Sequence, residues 1–138
     1  MTDKELVARK IALISEDLGE LKNLGNKSAV EFVANKIERF AAERVLERLI
    51  GRMIDINYHV LTEAGQPPPR DYFQSFIKLG EANILPVDFA RQIASCAGLR
   101  NRLVHEYDEI QTEKLFQGLL AALRDVPTYL EHIAKLLE

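Results

Sequence analysis

Apolar residues recur at three- and four-residue intervals along almost all of this 138-residue chain, and no segment alternates with the two-residue period of a strand. That period admits one kind of architecture, helices that bury apolar stripes against one another. The first stripe runs from about Asp3 to Asn23 through Leu6, Ile11, Ile14, Leu18 and Leu21, and Gly25-Asn26-Lys27 breaks it. Ser28 with Glu31 three residues on reads as a capping box. It opens a long helix to about Ala64 on Val30, Val33, Ile37, Phe40, Leu46, Leu49, Met53, Ile56 and Val60, in which Gly51 marks a bend or a close contact. Pro67, Pro68 and Pro69 make 65–70 a loop. Asp71 caps a short helix holding Tyr72, Phe73, Phe76 and Leu79, which Gly80 ends. Pro86 opens the next helix, which runs on through Ala90, Ile93 and Ala97 to Tyr107. A last helix spans about Thr112 to Leu137, with a kink or restart expected at Pro127. The expectation is an all-α bundle of four major helices plus a short fifth, in one domain covering residues 1–138.

A chain of this length buries roughly 68–70% of its unfolded surface and needs no staples. Cys96 has no cysteine to pair with, which fits a reducing, cytoplasmic setting. Met1 to Glu5 do not begin a signal peptide, and no apolar run is long enough for a membrane span. The formal net charge of -3 argues against broad, nonspecific nucleic-acid binding. It leaves room for a local basic cleft, to which Arg91, Arg100 and Arg102 could contribute.

One segment breaks the pattern. Ala90, Ile93, Ala97, Arg100, Val104 and Tyr107 share a helix face, so Arg100 stands on a face that should turn inward. An unpaired buried guanidinium is very costly, so Arg100 needs a partner or a cleft. His105 lies five residues on, about 140° round the helix, while Asn101 and His105 share the neighbouring face. Either the helix loosens near Leu103-Val104, or a second subunit completes the site. Spacing alone favours a structural account, with Arg100 paired to Asp55 or another acid and His105 at a helix end near Glu106 and Asp108.

Arg100 to Tyr107 resembles the R-x4-H-x-Y motif of the HEPN superfamily, and of its HepT-like toxins in particular. Tyr72-Phe73-Gln74-Ser75-Phe76, Leu79-Gly80-Glu81-Ala82, Ile84-Leu85-Pro86, Asp55-Ile56-Asn57-Tyr58-His59 and the proline loop are similar to the family's flanking segments. The resemblance covers essentially the whole chain. It implies a metal-independent ribonuclease site in a homodimer cleft, with Arg100 and His105 catalytic and no cofactor. Histidine moves protons near neutral pH, and arginine holds phosphate with a fork of donors. Asn101 and, loosely, Asp55 are supporting residues by the same resemblance, and Arg102 is solvent-facing or a supporting phosphate contact at the cleft rim. It further implies an MntA-like nucleotidyltransferase antitoxin that adenylylates Tyr107, placing bulk and negative charge where RNA phosphate must sit. The alternative is a non-catalytic nucleotide-binding or scaffold module for that partner.

Other candidates carry less. Asp55 and His59 are four apart, but two ligands without a third make a poor metal site, and none is expected. His132 is expected on a solvated helix face, Cys96 as a buried small residue rather than a nucleophile.

Overall fold

In the computed structural model, residues 4–105 and 111–138 are described. Tyr107, Glu106 and Asp108 therefore lie outside the described residues. The helical expectation holds: the described residues form seven α-helices and a closing 3₁₀ turn, with no strand among them.

Helix α1 (Lys4–Gly25) buries Val7, Ile14 and Leu21. Gly25 lets its end approach the last helix, because a Cβ there would sit 2.6 Å from Leu123 Cδ1 and 3.0 Å from Leu119 Cδ2. The Ser28–Glu31 capping box forms as expected. The long helix that it was expected to open is two helices, α2 (Ala29–Ala34) and α3 (Lys36–Glu63). Asn35 separates them in an extended conformation, and its side chain accepts a hydrogen bond from the Glu38 N–H at 3.0 Å. The break lets α2 direct Phe32 against Phe116, ring centroids 4.9 Å apart, while α3 buries Ala42, Leu46, Leu49, Ile50 and Met53. Gly51 is neither a bend nor a close contact: α3 runs through it, and a Cβ there would meet nothing within 4 Å.

After the proline loop, Asp71 caps α4 (Tyr72–Glu81) through the Gln74 N–H. The helix expected from Pro86 is also divided, into α5 (Val87–Ile93) and α6 (Ser95–His105). At the joint, Ala97 N–H bonds the Ala94 carbonyl in a tight i→i+3 turn. Ser95 Oγ donates to the Gln92 carbonyl at 3.0 Å, the local competition by which serine interrupts helices. Helix α7 (Thr112–Ala134) runs unbroken through Pro127, where a kink or restart was expected. Pro127 is exposed, and Val126, Tyr129 and Ile133 around it are buried, so packing offsets the lost backbone bond.

A polar chain crosses this core. The fully buried Tyr129 of α7 donates its hydroxyl toward Asn57 Oδ1 at 2.6 Å and the Met53 carbonyl at 3.1 Å. Asn57 Nδ2 donates to Ser75 Oγ at 3.1 Å, and Ser75 Oγ donates to the Tyr72 carbonyl at 2.7 Å. Buried polar groups are tolerated when each finds a partner, and this chain fixes α7, α3 and the first turn of α4 in one register. It ends at Tyr72, which reaches the candidate site.

Candidate functional site

Arg100 projects from the middle of α6 and is half-buried. Its guanidinium carbon stands 5.0 Å from the centroid of the Tyr72 ring. Tyr58 of α3 meets that ring edge-on at 6.2 Å and 86°. Burial, then the nearby Tyr72 and Asp71, hold the Tyr58 hydroxyl above the usual phenol range, so it stays protonated. Among the described residues Arg100 makes no ion pair. The aromatic face shields the inner side of the cation, in place of the carboxylate that spacing alone suggested.

Arg100 opens onto a cavity of about 440 Å³, lined also by Arg48, Arg52, Asp55, Tyr58 and Tyr72. Asp55 shares this cavity with Arg100, but it accepts from Lys10 Nζ at 3.2 Å. Arg48 and Arg52, one helical turn apart on α3, both bind Asp17 of α1. Arg48 Nη2 reaches Oδ1 at 2.7 Å and Arg52 Nη1 reaches Oδ2 at 2.8 Å. Asp17 is 3% exposed, and sequence reasoning missed it. A signal was available: Asp17 falls between Ile14 and Leu21 on the buried stripe of α1, a charge on an apolar face like Arg100.

The other expected residues are placed differently. His105 is the last residue of α6 and is exposed, as is Asn101 one turn before it. The helix does not loosen at Leu103-Val104, so within one chain the angular offset between Arg100 and His105 remains. His105 is not among the residues that line the Arg100 cavity. Arg102 is exposed on another side, in a groove with Lys114 and Gln117 of α7. Arg91 is exposed on α5 and also lies outside the Arg100 cavity. His59 Nε2 lies 3.2 Å from Glu63 Oε1, one turn on along α3, and the described residues hold no cluster of three metal-ligating side chains. Burial pushes the Cys96 thiol up to about 12, which makes it inert as a nucleophile. His132 is half-buried with its ring 6.2 Å from Phe89, not on a solvated face. No helix of the described residues is long and apolar enough to cross a membrane.

This architecture is shared with solved structures. A crystal structure of a toxin–antitoxin pair with AMP-PNP matches at a TM-score of 0.86 and 20% identity, covering 95% of this chain and 98% of that one. The tri-AMPylated HEPN toxin of Shewanella oneidensis, in complex with its MNT antitoxin, matches at 0.85 and 21% identity over 98% and 99% of the two chains. The fold is thus a HEPN-type helical bundle. The family model described as ribonuclease HepT-like matches residues 14–133, and the chain belongs to that family. The tRNA nuclease HepT of Aphanizomenon flos-aquae (strain 2012/KM1/D3) is 35% identical over 128 residues, 93% of this chain and 87% of the relative.

Proposed function

We propose that this protein is the toxin ribonuclease of a toxin–antitoxin pair, with tRNA as the substrate class, working without a metal ion. The observation that carries the reading is the state of Arg100: a guanidinium backed by an aromatic ring, without a carboxylate partner among the described residues, opening onto a cavity with two further arginines. In a chain of net charge -3, that is a local site for phosphate. Membership of the ribonuclease HepT-like family and the likeness to a tRNA nuclease support it.

In the proposed reaction the RNA 2′-oxygen attacks the adjacent phosphorus. A base takes the 2′-hydroxyl proton, the bond to the 5′-oxygen breaks, and an acid protonates the leaving oxygen. Arg100 stabilises the charge that gathers on the phosphate oxygens, and the cavity's cations supply the field. His105 moves one of the protons. One chain holds Arg100 and His105 on different faces of α6, so the reaction is assigned to a cleft between two copies, where a symmetric partner brings a second His105. Val30, Ile37 and Phe40, 80%, 74% and 53% exposed, offer apolar area for such a contact. Asn101 sits one turn before His105, placed to orient it or a phosphate, and Arg102 serves only at the rim.

Control by a nucleotidyltransferase antitoxin that adenylylates Tyr107 belongs to the same proposal. AMP placed two residues from His105 would exclude RNA by bulk and charge. The structural likeness to a tri-AMPylated toxin supports this regulatory part.

The test is cleavage of tRNA by the purified protein in EDTA. Cleavage is expected, with loss in Arg100→Ala and His105→Ala and protection by a 2′-deoxy nucleotide at the cut site. Cleavage that survives His105→Ala would refute the mechanism. Intact RNA in the wild-type reaction favours the non-catalytic module.

A further inference from the structure

Arg48 and Arg52 do more than tie α3 to α1. Asp17 is a single carboxylate and both guanidiniums share it, so the clamp sets two cations on one hydrogen-bonded anion. Arg48 gives Nε and Nη2 to Asp17, and Arg52 gives Nη1, so Arg48 Nη1 and Arg52 Nε and Nη2 stand outside the clamp. The arrangement is a fork of donors held rigid from behind, which lowers the entropy lost when a ligand binds. Both residues line the cavity that holds Arg100, and the Arg48 side chain is 42% exposed. Gly51 lies between them on α3 with open space where a Cβ would be, so no side chain blocks the approach. The cavity's own carboxylate, Asp55, is paired with Lys10 Nζ at 3.2 Å. Glu16 and Glu20 of α1 act on Arg48 without lining the cavity.

We propose that Arg48 and Arg52 form a second phosphate subsite, which holds an RNA backbone phosphate beside the one at Arg100. Asp17 is the positioning residue that aims both arginines. The subsite rests on the reading of Arg100 as a phosphate-binding residue. It adds that the strand is gripped along α3 as well as α6, and so fixes which way the backbone runs past the reacting phosphate.

Binding of tRNA to the His105→Ala protein, followed across salt concentrations, tests the subsite apart from catalysis. Each phosphate contact contributes about 0.7–0.9 to the slope of log affinity against log salt. Arg48→Gln and Arg52→Gln should each make the slope shallower by that amount, a loss of about five- to eightfold at 0.1 M salt. Each single variant leaves Asp17 one guanidinium, so the fold is kept. Arg48→Lys should retain the slope, and Lys22→Gln, an exposed cation at the end of α1, should not alter it.

An unchanged slope in both glutamine variants overturns the subsite, as does an equal change in Lys22→Gln. If Arg100→Gln alters the slope and the α3 variants do not, the subsite fails while the ribonuclease reading stands. If none of the three alters it, both fail.

Discussion

The guanidinium of Arg100 rests 5.0 Å above the ring of Tyr72, and Tyr58 braces that ring edge-on from α3. The motif arginine is thus held by an aromatic shelf, which leaves its donors for a ligand. A cation over an aromatic face contributes about 0.5–2 kcal/mol, which corresponds to roughly two- to thirtyfold in rate if the geometry matters in the transition state. Tyr72→Leu should lower kcat for RNA cleavage within that range while KM changes less. Tyr72→Phe keeps the ring and should stay within about twofold of wild type. Equal losses in the two variants would show that the hydroxyl, not the ring face, is what matters.

Arg100→Ala should leave the fold standing. A buried ion pair that loses one partner costs about 3–5 kcal/mol, because the other charge is stranded. Arg100 is half-buried with no carboxylate partner among the described residues, so its removal strands no charge. Urea denaturation should show a midpoint close to that of the wild type, and a loss of several kcal/mol would restore the structural account of Arg100.

The Asp17 clamp behaves oppositely. Asp17→Asn removes the charge that two guanidiniums share and should destabilise the protein by about 2–3 kcal/mol. The urea midpoint should fall with an unchanged slope.

The relay through Asn57 should be as sensitive. Asn57→Leu removes the 2.6 Å bond from Tyr129 and the donor to Ser75 and leaves those hydroxyls the Met53 and Tyr72 carbonyls, at a cost of about 0.5–1.5 kcal/mol for each bond lost. Tyr129→Phe should cost less in that background than in the wild type, since the shorter of its two hydrogen bonds is already gone. An equal cost in both backgrounds would mean that the two residues are not coupled.

Cys96 gives a pH prediction with a defined sign. Burial raises the thiol from 9.0 to about 12 in the folded state, which favours the protonated form there. The contribution is fully present below the unfolded value. It is lost as pH rises from 9 toward 12, because the unfolded chain ionises first. Cys96→Ala should flatten that part of the stability curve, and alkylation of the native wild-type thiol at pH 8 should be slow until urea unfolds the chain.

Sequence alone determined the helical class, the capping box at Ser28, the cap at Asp71 and the loop of three prolines, because these follow from local period and backbone chemistry. It singled out Arg100 as a charge on an inward face by the same reasoning. It did not show the breaks at Asn35 and Ala94, where apolar periodicity carries on while caps and a serine hydroxyl turn the backbone. Nor did it name what meets Arg100. Tyr72 lies 28 positions earlier in the chain, and the structural account offered Asp55 or another acid; the fold pairs Asp55 with Lys10 instead. Tertiary structure decided those partners, because a side chain's neighbours across helices depend on how whole helices pack and not on the order of residues along any one of them. The same packing brings Arg48 and Arg52, both held by Asp17, to the cavity beside Arg100.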